Sequence, residues 1–121
     1  MYRVSYLVRL PEFEVGDIIE FRKTPYMLKR VSSQGARLVA LKDYREMPVK
    51  RRDVPGIRLL AKRSETEEAV VVSRSAREIQ VMDPSSYETV DLRVPEHAEI
   101  GESVSVIRLD GILHYVPTLR V

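Results

Sequence analysis

The stretch "VMDPSSYETVDLRVPE" (residues 81–96) crowds Asp83, Ser85, Ser86, Tyr87, Glu88 and Thr89 into a few positions, and its reading decides the fold. It is either a reactive centre or the tip of a hairpin. Asp83-Pro84 breaks the preceding strand pattern and Ser85-Ser86 completes a turn. Beyond the turn, Val90, Leu92 and Val94 fall on one face of an extended chain, while Tyr87, Thr89, Asp91 and Arg93 fall on the other. Period-two alternation of that kind buries the aliphatic set and exposes the polar one. A serine nucleophile would need a base within hydrogen-bond reach and a third group to orient it. The candidate bases are His97, in the loop "PEHAEIG", and His114, on a strand face shared with Ile112 and Val116. A small hydrolase built on Ser85 and Tyr87 would require one of them at the hairpin tip. The pattern favours a hairpin, and the chain is expected not to be an enzyme.

Working outward, the same period recurs almost everywhere. Strands are predicted at "YRVSYLVRL" (2–10), "IIEFR" (18–22), "YMLKRV" (26–31), "ARLVALK" (36–42) and "IRLLAK" (57–62), with a bend at Gly16-Asp17. Lys23-Thr24-Pro25 and Ser32-Ser33-Gln34-Gly35 supply turns between them. "MPVKRRDVPG" (47–56) has prolines at both ends and cannot hold a long helix, so it reads as a short strand or loop with one helical turn. Further strands follow at "AVVVS" (69–73), "EIQVM" (78–82), "YETVDLRV" (87–94), "SVSVIRL" (103–109) and "ILHYV" (112–116). Asp110-Gly111, between the last two, is the strongest hairpin signal because a type I′ turn needs positive φ at both central residues. Ser75 to Glu78 has capping-box spacing, but no helical period follows it. The fold class is therefore all-β. Two groups of short strands, each near 60 residues, favour two small barrels in tandem over one sandwich, since closure removes exposed edges.

Composition agrees with two modules. The net charge of +2 hides a basic first half, 1–63, with 15 Lys/Arg against 7 Asp/Glu, and an acidic second half, 64–121, with 5 against 11. The boundary falls in the acid-rich "RSETEEA" (63–69), read as a linker. Such a split also fits two halves that attract one another. No apolar run approaches the ~18 residues of a membrane span, and the arginines in "MYRVSYLVRL" do not suit a signal peptide. The absence of cysteine removes disulfides and thiolate metal sites, and suits an intracellular, cytoplasmic chain. Two histidines, dispersed carboxylates and five glycines give no zinc pattern, no calcium loop and no phosphate-cradling glycine motif. No cofactor, metal or small-molecule substrate is expected.

Positive charge in the first module is what remains. Arg22 and Lys23 sit at a turn, Lys29 and Arg30 late in a strand, Lys50, Arg51 and Arg52 in the proline-bounded segment, and Arg58, Lys62 and Arg63 beyond it. Converging on one side of a barrel, they would form the electrostatic footprint of a phosphate-backbone binder. Tyr26 and Tyr44 lie near them and could stack on unpaired bases. The acidic second module would then face a protein or neutral RNA loops. The alternative is a protein-interaction tandem that recruits a basic protein without touching RNA.

The segments "LPEFEVGDIIEF", "TPYMLKRV", "SRSAREIQVMDPSSYETVDL" and "SVIRLDGILHYVP" resemble the carboxy-terminal half of the ribosomal large-subunit export adaptor family, also called nonsense-mediated decay protein three, which has archaeal members. The "QVMDP…YET" hairpin and the "V-x-x-L-D-G-x-L-x-x-V-P" ending are the more specific parts, and the likeness covers nearly the whole chain. The resemblance implies a Src-homology-3-like barrel (1–63) followed by an OB-fold-like barrel (64–121), a tandem similar to translation initiation factor five-A. It also implies a large-ribosomal-subunit assembly, export or quality-control factor that binds ribosomal RNA and ribosomal proteins near the tRNA exit site. The cysteine-rich zinc module of that family and its acidic, leucine-rich export tail have no counterpart here, so an archaeal-type fragment or truncated relative without export is expected. The loop "SSQGAR" has no lysine, so the modified lysine of factor five-A is not carried over.

Overall fold

A computed structural model describes residues 13–96 and 98–118. The strand expected at 2–10 and the histidine His97 lie outside the described residues. The chain divides into two compact units between Ser64 and Glu65. Among the described residues every strand pairs antiparallel and no α-helix forms. The architecture is two small barrels in tandem, Src-homology-3-like then OB-like.

In the first unit β1 (Ile18–Phe21), β2 (Thr24–Ser32), β3 (Gly35–Ala40), β4 (Glu46–Lys50) and β5 (Arg58–Ala61) form a sheet in the order β4-β3-β2-β1-β5. A 3-10 helix, Arg51–Gly56, carries the chain from one edge of this sheet to the other and sends Val54 into the core. Ile19, Phe21, Leu28, Leu38, Val49 and Ile57 complete that core. Ile19 and Leu38 are wholly enclosed, and burial of such a side chain stabilises by about 1.5–3 kcal/mol. Pro48 lies within β4, which is tolerated because β4 is an edge strand with one side unpaired.

The second unit contains β6 (Glu67–Arg74), β7 (Glu78–Met82), β8 (Thr89–Arg93), β9 (Ser103–Leu109) and β10 (Ile112–Tyr115), in the order β10-β9-β6-β7-β8. The outer strands β8 and β10 lie beside each other, which curls the sheet toward a barrel. Ala69, Ile79, Val81, Leu92, Val104, Val106 and Leu113 are buried. Asp110 and Gly111 take φ of 50° and 80°, as the type I′ turn requires.

Two local readings are corrected. The first hairpin turns at Arg22-Lys23, with φ of 52° and 65°, and Thr24 and Pro25 already belong to β2. Turn chemistry pointed to the proline, but strand pairing of Phe21 with Thr24 and Glu20 with Pro25 takes precedence. The acid-rich linker is also shorter than expected. A 3-10 turn occupies Arg63–Glu65, and Glu67 and Glu68 are strand residues paired with Val106 and Ser105.

The stretch 81–96 forms the β7–β8 hairpin. Asp83 is nearly buried and accepts hydrogen bonds from the amides of Ser85 (2.8 Å) and Ser86 (3.4 Å) and from Arg108 Nη2 (2.7 Å). The Arg108 hydrogen bond, helped by the two amides, holds its carboxyl below the usual carboxylate range. Tyr87, at φ 63°, returns the chain, and Ser86 Oγ accepts from the Glu88 amide. Asp83 and Ser86 thus organise a turn. His114 lies in β10 opposite Ile107, and burial pushes its pKa down.

Candidate nucleic-acid interface

Strand register decides which of the predicted cations share a surface. β2 pairs with β3 so that Arg30 lies directly opposite Arg37, and Arg37 lies opposite Pro48 of β4. Gly35 opens β3 opposite Lys50, which closes β4. Arg30, Arg37 and Lys50 therefore border one open recess of about 250 Å³, with Ser32, Gln34 and Gly35 at its end. Arg51 and Arg52 follow Lys50 at the start of the 3-10 helix, both exposed. The recess is smaller than the ~300–1,000 Å³ of a typical small-molecule cleft and lies open.

Gly35 keeps this corner together. Its φ is +142°, and a Cβ there would stand 2.2 Å from the Val49 carbonyl oxygen and 3.1 Å from the Arg51 amide. Only a glycine lets the end of β4 come that close to the β2–β3 turn. The turn reading of Ser32–Gly35 did not foresee this approach, because it depends on a third strand.

Other candidate cations are held by carboxylates of the same unit. The register shift between Leu28 and Arg30 leaves Lys29 as the extra residue, and it reaches Glu46 across β3, where Arg37 Nη1 also bonds at 3.3 Å. The Lys29 hydrogen bond, with help from Arg37, keeps the Glu46 carboxyl below its ordinary range. Arg58 clasps Glu20, its register partner, at 2.6 Å. Lys62 binds Asp17 at 2.9 Å and Glu14 at 3.4 Å, and Arg63 donates to the Val15 carbonyl at 3.4 Å. Arg22 lies 4.9 Å over the Phe21 ring, and with Lys23 it occupies the far end of β2 from the recess. Nine extended residues separate the two ends by ~25–30 Å. The register thus brings Arg30, Arg37 and Lys50 to one recess, with Arg51 and Arg52 next in the chain, while Lys29, Arg58 and Lys62 are paired with carboxylates.

The tyrosines have local duties. Tyr26 packs half-buried against the core, with its hydroxyl 3.9 Å from Met47 Sδ. Tyr44 takes φ 62° in the β3–β4 turn, where its amide donates to the Ala40 carbonyl at 2.8 Å. Both are partly buried.

Asp17, just before β1, ties the residues that follow β5 to the start of the sheet. It is wholly buried and accepts from the Glu14 amide, the Arg63 amide and Lys62 Nζ, each at 2.9 Å. Burial alone would raise its pKa. The Lys62 and backbone hydrogen bonds, with the Lys62 charge, outweigh that and hold it below its ordinary 3.8. A carboxyl whose pKa falls on folding contributes stability above the unfolded value and loses it as pH drops through the folded value. Replacing Asp17 by alanine strands two amides, at about 1–3 kcal/mol each. The thermal midpoint of the first unit is expected to drop on the order of 10–20 °C. Acid scans should show the variant's stability declining less steeply below pH 3.8 than that of the parent chain; an unchanged midpoint and acid profile would refute the anchor role.

Among the described residues no group of three or more His, Asp or Glu side chains is placed to hold a metal ion. No helix of the described residues is long and apolar enough to cross a membrane.

With that geometry established, the chain can be set beside known proteins. No protein-family model and no curated protein sequence matches it. Among solved structures it is similar to eukaryotic translation initiation factor 5A from Methanococcus jannaschii, with a TM-score of 0.51 at 17% identity. The match covers 89% of this chain and 91% of that one. At that identity the likeness establishes the tandem fold and its order.

Proposed function

We propose that this chain is a non-catalytic, translation-related module that binds ribosomal RNA through the basic corner of its first barrel. One observation carries the reading. Arg30 and Arg37 lie opposite each other on adjacent strands and share a recess with Lys50, which Arg51 and Arg52 follow in the chain. Like charges in that position destabilise a sheet, and among the described residues Glu46 is the carboxylate that relieves the Arg37 side. A polyanion would remove the repulsion that folding leaves behind. The fold likeness to a translation factor supports a ribosomal setting. Within that setting we infer a large-ribosomal-subunit assembly or quality-control factor, working in the cytoplasm without cofactor or small-molecule substrate.

The test is cosedimentation of the chain with purified large and small ribosomal subunits, before and after nuclease treatment. Recovery with large subunits that nuclease abolishes is the expected result. Recovery that survives complete digestion of the RNA would replace this reading with recruitment of a basic ribosomal protein.

A further inference from the structure

The second unit exposes apolar side chains on a strongly acidic domain. Val71 and Val81 form a buried-side register pair, so Val70 and Met82, one step along, share the opposite, outer face. Val70 is 58% and Met82 38% exposed. Ser103 lies opposite Val70 on β9 and Thr89 opposite Met82 on β8, so one row crosses four strands with an apolar middle. Val72, the extra residue at the β6 register shift, is also open. Tyr87 stands 74% exposed at the loop beyond Thr89.

The charges around this row are mostly of one sign. Glu68 follows on the same face of β6, opposite Ser105 and hydrogen-bonded to Ser103 Oγ. Asp91 follows Thr89 on β8, opposite Gln80, and Glu88 lies between Tyr87 and Thr89. Arg93, the one cation on that face of β8, lies opposite Glu78. Exposed valine and methionine gain from burial against apolar side chains, while the carboxylates repel phosphate and attract ammonium and guanidinium groups.

We propose that this face of the second barrel docks an extended cationic protein segment in which Lys or Arg alternates with aliphatic residues. The aliphatic side chains cover Val70, Val72 and Met82, and the basic ones meet Glu68, Glu88 and Asp91. An extended occupant is favoured because its period-two side chains separate the two chemistries onto opposite sides. This surface is distinct from the basic corner of the first unit and does not depend on the RNA-binding reading.

The experiment titrates the full chain with a short labelled peptide alternating lysine and valine, with an all-lysine peptide and with oligouridine, by fluorescence anisotropy. The lysine–valine peptide should bind tightest and oligouridine should not compete for it. Val70→Ser with Met82→Ser should weaken that peptide by about tenfold or more, a hot-spot-sized loss. Asp91→Lys with Glu88→Lys should weaken it and steepen the preference for low salt less than in the parent chain. All four positions are exposed, and an unchanged calorimetric transition of the second unit confirms that the variants are folded. Equal binding of the two peptides, or variants indistinguishable from the parent, would overturn the proposal. So would self-association that Val70→Ser abolishes, which would give the face to a second copy.

Discussion

Reversal of Lys50, Arg51 and Arg52 to glutamate is expected to lower RNA affinity on the order of a hundredfold at moderate ionic strength. Each of the three is exposed, and none forms an ion pair with a described residue. Their charges are therefore available to phosphates, and their loss removes contacts and adds repulsion. Folding should survive, since substitutions at exposed positions away from caps and cores usually stay within about 0.5 kcal/mol. The paired cations supply the contrast. Lys29→Gln and Arg58→Gln disturb surface pairs with Glu46 and Glu20, and each should change affinity less than about threefold. Gel-shift or anisotropy titrations of all three proteins check this. If the paired cations mattered more than Lys50, Arg51 and Arg52, the binding surface would lie elsewhere on the barrel.

Gly35→Ala is expected to have the largest effect on stability. A Cβ 2.2 Å from the Val49 carbonyl cannot be accommodated by a side-chain adjustment, because the obstacle is backbone. The φ of +142° adds strain of its own. Together they should cost about 3–5 kcal/mol. The entire stability of a unit of this size is of similar magnitude, at roughly 0.05–0.15 kcal/mol per residue. The first unit should therefore melt at least ~15 °C lower or fail to fold. Differential scanning calorimetry resolves the outcome, and the second unit's transition, which lacks this contact, serves as the internal reference. A parent-like first transition would mean that the β4 end does not pack against Gly35.

Much of the fold was legible because period-two patterns report directly on which face of a strand is buried. Val90, Leu92 and Val94 against Thr89, Asp91 and Arg93 divide in the structure as they do in the sequence, and Asp110-Gly111 turns as its residue types demand. Arg22-Lys23 was not legible as a type I′ turn, because neither residue favours positive φ and the pairing of β1 with β2 imposes it. The candidate site was legible in kind but not in extent. Residue type marks a cation, but only non-local register shows whether it is neutralised. Lys29 finds Glu46 two strands away, Arg58 finds Glu20 through the β1–β5 pairing, and Lys62 finds Asp17 across most of the unit. Arg37 went unremarked because it stands alone in its strand, and its place opposite Arg30 depends on the register shift at Lys29.

Phosphate neutralisation is proposed for the corner that carries Arg30, Arg37 and Lys50, with Arg51 and Arg52 beyond it. It is tested most directly by the dependence of RNA affinity on salt for the parent chain and the Lys50/Arg51/Arg52 reversal. Five phosphate contacts give a log–log slope of about −3 to −5, and removing three of them flattens it by about 2 to 3. Identical slopes for the two proteins, or a parent slope near zero, would contradict the account.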